Sequence, residues 1–274
     1  MKNLFKSGKG VAAPHIVWSV LFIILPLIFV VYFAFTDGEG SFTFENIFAL
    51  TEHAETFALS VSLSVIATFF CFIIGYPLAY LIARASAKKQ KLYIMLLMLP
   101  MWTNLLIRTY SMMAIMDDGG MINTFLRSLD LNTFRMIGTK GAVIFGMAYD
   151  FFPYMVMPIY TVISKIDTSL LEAASDLGCN PLKTMTKVVL PLSASGIVSG
   201  ITMVFVPCIS TFYISQKLGG GTFELLGDTI ERQFQNVSTY NVGAAISLVM
   251  MILILISLGI MNKFSDADEG GIIV

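Results

Sequence analysis

Long apolar runs broken by short polar connections set the pattern of this chain. A helix needs about 20 mostly apolar residues to cross the hydrocarbon of a bilayer. Six segments reach that length: 14–35, 57–84, 92–116, 141–166, 189–215 and 242–263. The runs are continuous rather than alternating over about ten residues, so the spans are predicted as helices and not barrel strands. The expected fold class is an all-α integral membrane protein with six transmembrane helices. Two spans carry a charge, Arg108 in the third and Asp150 in the fourth. A charge at that depth is expensive and points to a functional or paired group. Prolines recur inside the runs: Pro26, Pro77, Pro100, Pro153, Pro158 and Pro207. Each removes a backbone donor and is expected to bend its helix. Gly75-Tyr76-Pro77 and Pro153/Pro158 are either flex points or packing features.

Between the fourth and fifth runs lies a polar island, 169–191, too hydrophilic to be part of a span. Ser169 and Glu172 have the spacing of a capping box, which predicts a short helix starting there. Leu170, Ala173, Ala174 and Leu177 then share one face. Gly178 suits the left-handed turn that ends a helix. Asn180-Pro181 is a second start signal, a cap followed by proline at the first helical position. The prediction is a helix, a glycine turn and a second helix that runs up to Pro191.

Composition sharpens the class. Of 274 residues, 56% are hydrophobic and only 13% charged, against about 25% charged in soluble domains. A net charge of −1 gives no electrostatic case for nucleic acid. Cys71, Cys179 and Cys208 are odd in number and lack CxxC spacing, so neither a disulfide framework nor a zinc site is expected. Lys2, Lys6 and Lys9 precede the first run without a small-residue cleavage site, which predicts a retained helix. With six spans both termini share one side, together with Arg84, Lys88, Lys89, Lys91, Lys165, Lys183, Lys187 and Lys263. The other side holds Arg127, Arg135, Lys140, Lys217 and Arg232, fewer cations, so the termini and the polar island are predicted cytosolic. The first outer loop, 36–56, carries Asp37, Glu39, Glu45, Glu52 and Glu55 and no Lys or Arg, in agreement.

The island resembles the EAA loop of ABC-importer permeases, the membrane subunits of binding-protein-dependent transporters. The family pattern is EAA, three residues, Gly, nine residues, Ile, one residue, Leu-Pro. Here it reads Glu172-Ala173-Ala174, then Gly178, then Val188, then Leu190-Pro191, with valine for isoleucine as its one departure. The resemblance implies the type I importer permease architecture and a coupling helix that docks in a cleft of a soluble ATPase. Glu172, Ala173, Ala174, Gly178, Leu190 and Pro191 are its ATPase-coupling residues. It also implies a chain divided into a cytosolic segment 1–13, a permease domain 14–263 with the coupling loop at 167–191, and a cytosolic tail 264–274.

Further stretches are similar to polyamine-importer permeases: Leu99-Pro100-Met101-Trp102-Thr103-Asn104 running on to Tyr110, Leu218-Gly219-Gly220-Gly221, Gly227-Asp228-Thr229-Ile230-Glu231-Arg232, and Gly243-Ala244-Ala245-Ile246-Ser247. Within that group the chain is most like the first permease subunit of spermidine/putrescine importers. Permeases for iron, sulfate or molybdate are built similarly and remain alternatives for the cargo. The partners this implies are two copies of an ABC ATPase, a paralogous second permease, an extracytoplasmic polyamine-binding protein and membrane lipid. The implied location is the bacterial cytoplasmic membrane.

Polyamines need carboxylates and aromatic faces, the latter through cation–π attraction of roughly 0.5–2 kcal/mol. Asp150 and Tyr149 sit about ten residues below the outer end of span four, ~15 Å deep. Trp102, Tyr110 and Asp117 are further candidates for the substrate pathway. Arg108 lies ~12 Å deep in span three, so Asp150 either binds substrate or pairs with Arg108. No GxxxxGK[ST] pattern occurs, so ATP and magnesium are expected on a partner ATPase, with no cofactor, metal or catalytic residue here. His15 and His53 form no enzyme motif. A stand-alone channel or secondary carrier would also need six spans, but it gives the capped island no role.

Overall fold

A computed structural model describes residues 9–269. The outermost parts of the two predicted cytosolic ends, 1–8 and 270–274, lie outside the described residues, Lys2 and Lys6 among them. The described residues are helical, with one isolated antiparallel bridge between Thr36 and Phe42. Four helices are long and apolar enough to cross a membrane: Pro14–Ala34, Glu45–Ala83, Lys140–Ile163 and Val237–Met261. Two further pairs pass the same test only together, because each is sharply bent: Ala87–Trp102 with Leu105–Ser128 by 91°, and Pro181–Leu192 with Ala194–Ser210 by 72°.

The chain divides into two compact units. The first comprises residues up to Glu55 and Thr229–Leu253. It begins with α1 (Lys9–Ser19), a π turn at Val20–Ile24 and α2 (Leu25–Ala34). The widened turn stands just before Pro26, where the missing donor would otherwise leave the ladder broken. The side chains of this helix face outward, with Phe22 65% and Ile28 59% exposed, as suits a lipid-facing surface. Beyond it, Asn46 Nδ2 donates to the carbonyls of Thr36 and Ala34 and ties down the short helix α3 (Glu45–Phe48). Ala34 packs with Ala244, Ala245 and Leu248, so the small residues that begin the last span let two helices close together.

The second unit, Thr56–Asp228 with Ile254 onward, holds the larger core. Its helices are α4 (Ala54–Ala83), α5 (Ala87–Met98), α6 (Leu105–Met116), α7 (Met121–Ser128), α8 (Lys140–Ile163), α9 (Thr168–Asp176), α10 (Pro181–Thr184), α11 (Leu190–Leu192), α12 (Ala194–Ser210) and α13 (Tyr213–Leu218). Helices α14 (Leu226–Gln235) and α15 (Tyr240–Glu269) complete the order. Helix α8 lies at the centre, with Met147, Met155, Val156, Ile159 and Ile163 fully buried. Against it packs α12, whose Gly196 and Gly200 stand four residues apart on the contact face. A Cβ at Gly196 would lie 2.9 Å from the Pro158 oxygen, and one at Gly200 2.9 Å from Met155 Sδ. The absent side chains let two backbones approach where apolar burial alone gives no driving force in lipid.

Two expectations are corrected here. The third span is not one helix: α5 and a 3-10 turn at Leu99–Trp102 end at Thr103, and α6 starts afresh behind Asn104, whose Oδ1 accepts from Leu106 N. The fifth span does not begin at Val189 and run to Ser215. Its helix breaks at Ser193, resumes at Ala194 and stops at Ser210. Both breaks lie within three residues of a proline, Pro100 and Pro191, and not at Pro77 or Pro153, around which α4 and α8 run as single helices.

Candidate functional site

The polar island folds as a knob made from α9, α10, a π turn at Met185–Val189 and α11. Its start differs from the predicted capping box. Asp167, not Ser169, is the cap: its Oδ1 accepts from Ser169 N at 3.0 Å. The Ser169 amide, followed by its hydroxyl, holds the Asp167 carboxyl below its ordinary range. A carboxylate at a helix start also meets the positive end of the dipole. Glu172 is exposed and free to meet a partner.

The end of α9 follows the expected turn closely. Gly178 has φ +79°, Gly178 N donates to Ser175 O at 2.9 Å, and Cys179 N donates to Ala174 O at 3.0 Å. These are the two bonds of a Schellman motif, which satisfies the last carbonyls of the helix. Asn180 Oδ1 then accepts from Lys183 N at 2.8 Å, with Pro181 at the first position of α10. Two tight caps around one glycine make the knob rigid.

The faces of α9 divide otherwise than predicted. Ala174 is buried and Leu171 packs on the core, while Leu170, Ala173 and Leu177 point outward. Leu177 is 85% and Leu182 75% exposed. They are the two most exposed large apolar side chains of the knob. Leu190 and Pro191 are exposed as well, and Ser193 just beyond them is fully buried. Sequence reasoning did not single out Leu182; its place in the first turn of the helix that starts at Asn180-Pro181 was the available signal.

The knob is joined to the membrane core by side chains. Tyr76 OH and Ser193 Oγ lie 3.0 Å apart and buried, linking α4 to the break between α11 and α12. Arg84 Nη1 donates to Ile166 O at 3.3 Å, just ahead of the α9 cap. Tyr160 OH donates to Gln90 Oε1 at 3.1 Å, and Gln90 Nε2 reaches the carbonyls of Ala83 and Ala85.

The candidate pathway residues do not converge. Asp150 on α8 is sealed, its side chain 0% exposed, with Arg108 Nε 3.2 Å from its Oδ1. The two charges meet by distance without hydrogen-bond geometry, leaving Arg108 Nε and Nη1 and both carboxylate oxygens without a hydrogen bond. Tyr149 lines an apolar cavity of about 610 Å3 with Phe70, Phe145 and Phe152, and a second of about 380 Å3 with Arg108. Trp102 is exposed in the 3-10 turn, and Asp117 is exposed at the end of α6. Tyr110 meets Tyr213 edge to face at 6.0 Å, and Lys217 Nζ lies 5.3 Å from the Tyr110 ring and 5.7 Å from the Tyr213 ring. Tyr213 and Lys217 stand four apart on α13; the first read only as part of the tail of span five and the second only as an outer-side cation. Asp228 orders the same region, accepting from Ser215 Oγ at 2.9 Å and Leu225 N at 2.8 Å.

Comparison with known proteins adds three findings. The family model described as "Binding-protein-dependent transport system inner membrane component" matches residues 58–268. The chain is 35% identical over 263 residues to the spermidine/putrescine transport system permease protein PotB of Salmonella typhimurium, covering 92% of each. It is 36% identical over 246 residues to PotB of Escherichia coli, covering 86% of this chain and 90% of that one. Its fold is similar to a chain in the crystal structure of a bacterial alginate ABC transporter in complex with an alginate pentasaccharide-bound periplasmic protein. There the TM-score is 0.79 at 17% identity, with 93% of this chain and 92% of that chain covered.

Proposed function

Because this chain belongs to the family of binding-protein-dependent transport inner membrane components, and is a permease subunit of an ABC importer, we propose that it forms, with a second permease, the pathway for polyamines. The observation that carries this cargo is the 35% identity to a spermidine/putrescine permease over 92% of both chains. The second permease is a paralogue, two ATPases bind ATP and magnesium below, and an extracytoplasmic polyamine-binding protein delivers substrate above. Each bent helix pair counts as one span, making six, with both termini in the cytosol.

The knob is the contact with the ATPase. Glu172, Ala173 and the bared Leu177 and Leu182 enter its cleft; Gly178 holds the turn; Ala174 fastens the knob to the core; Leu190 and Pro191 carry the movement to the break at Ser193. From there α12, locked to α8 through Gly196 and Gly200, transmits it to the helix that bears Asp150. In the open state a substrate ammonium exchanges for Arg108 at Asp150, with Tyr149, Tyr110 and Trp102 offering ring faces and Asp117 a carboxylate at the mouth. The test is uptake of labelled spermidine and putrescine by cells lacking this chain, with and without the restored gene. Restored uptake of either is expected. Full uptake in the deleted cells, or restored uptake of iron, sulfate or molybdate only, would refute the cargo.

A further inference from the structure

The knob and α12 meet at Ser193, where Pro181–Leu192 and Ala194–Ser210 stand at 72° to each other. Ser193 has φ −103° and ψ 8°, in the bridge region rather than the helical one, and ends α11 as it begins α12. The residue is fully buried. Its hydroxyl carries one proton, which goes to the Leu190 carbonyl at 3.1 Å. The Tyr76 hydroxyl, 3.0 Å away and also buried, is therefore the donor to Ser193 Oγ. Two hydrogen bonds in series thus run from α4 through Ser193 to the last turn of the knob. A buried hydroxyl left without a partner is costly, so each holds the other in place.

Tyr76 stands on a firm base. Helix α4 runs through Pro77 without a break, and a Cβ on the neighbouring Gly75 would lie 3.2 Å from Met155 Cγ and 3.3 Å from Val156 Cγ2. At this level α4 is therefore seated on α8, as α12 is through Gly196 and Gly200. Between these seated helices and the knob lies the break, and hinges form at element-terminal residues of that kind. We propose that Tyr76 is a positioning residue for coupling. Its hydroxyl fixes Ser193 and, through it, the Leu190 carbonyl, so the knob and α12 keep their angle and move as one piece. Without the phenol oxygen the break flexes, and a push on the knob is taken up in the bend instead of reaching α12. The inference rests on the knob being the contact with the ATPase.

The test uses the purified assembled importer with its binding protein in proteoliposomes, reading spermidine uptake and ATP hydrolysis on the same sample. Tyr76→Phe removes one oxygen and keeps the ring, so the core stays filled. It is expected to hydrolyse ATP at the native rate and to import about fivefold less spermidine per ATP, the worth of one ordinary hydrogen bond. Ser193→Ala, the other end of the same bond, is expected to show the same split, and the double variant to fall no further than either single one. Tyr80→Phe, one turn along α4 and outside the chain of bonds, is expected to match the native importer. Spin labels at Lys187→Cys on the knob and Met203→Cys on α12, both exposed, read the angle directly in a Cys179→Ser background. One narrow distance is expected in the native chain and a broad distribution in Tyr76→Phe. Native uptake per ATP in Tyr76→Phe, uptake and hydrolysis lost in proportion, or a distance distribution as narrow as the native one would overturn the proposal. If the native importer takes up no spermidine, the cargo is wrong and the label distances alone decide the role of Tyr76.

Discussion

Asp150 and Arg108 show what one charge does at membrane depth. At 3.2 Å apart, with the Asp150 side chain fully buried and that of Arg108 12% exposed, the two charges face each other as an ion pair. Removing one partner strands the other, a loss of about 3–5 kcal/mol for buried pairs. Asp150→Asn is therefore expected to lower the amount of assembled permease in membranes, and Arg108→Met added to it to restore that amount. Uptake then separates the roles: a restored double variant that imports normally makes the pair structural, and one that assembles but fails to import gives the carboxylate a part in the pathway. Both depths were legible from helical rise. Pairing was legible as one of two alternatives; the choice between it and substrate was not, because the break at Thr103 sets the rotation of α6 and nothing in the local sequence encodes that angle. The α9 cap was misplaced for a related reason. Asp167 and Ser169 are both good caps, and the choice fell to the residue where the chain leaves extended backbone, Asp167 with ψ 134°. Since Asp167 has a depressed carboxyl, its contribution is present above the ordinary carboxylate range and is lost as pH falls through its own lower value. Hydrogen exchange in the first turn of α9 is expected to rise in that acid window in the native chain, and Asp167→Ala to show the fast rate already at neutral pH.

Among the elements, the glycines at contacts and turns decide more than the prolines do. Gly178 sits at φ +79° in open space, so an added Cβ there meets backbone strain and no neighbour. Gly178→Ala is expected to cost about 1–2 kcal/mol, the left-handed penalty, and Gly178→Asn less. Proteolysis of the knob in the purified importer checks that order. Gly200 is the opposite case: space is what it lacks. Gly200→Val would drive methyl groups into Met155 and part α12 from α8, lowering thermal stability by about 1–3 kcal/mol if the helices shift and abolishing assembly if they do not. The turn at Gly178 was readable because one residue and its two neighbours specify it. The contact at Gly196 and Gly200 was not read, because a glycine on an apolar helix declares its role only when the facing helix is known. Pro100 signalled a bend in the third span, but the full breaks at Thr103 and Ser193 were not read: apolar runs give a length, and a run of the right length looks the same straight or broken.

At the scale of the molecule, the function proposed above makes the knob the handle for a separate motor. Its family was legible from a few residues at fixed spacing, 172–190 and the proline that follows, and the match over residues 58–268 agrees with them. Its most exposed side chains were not legible. Leu177 reads as one residue of a helix face and Leu182 follows the second helix start, yet they are the two most exposed large apolar side chains of the knob, at 85% and 75%. Interfaces draw most of their strength from a few well-packed side chains, each costing about 2 kcal/mol or more when lost. Leu177→Glu/Leu182→Glu is accordingly expected to leave the permease inserted and folded, since neither side chain touches the core, while the ATPase no longer copurifies and uptake falls at least tenfold. Glu172→Ala should do less, removing one polar contact from the cleft. Pull-down of the tagged permease from detergent-solubilised membranes gives the answer: an ATPase retained at native levels by the double leucine variant would place the coupling contact elsewhere on the chain, and with it the path from the motor through Ser193 to α8.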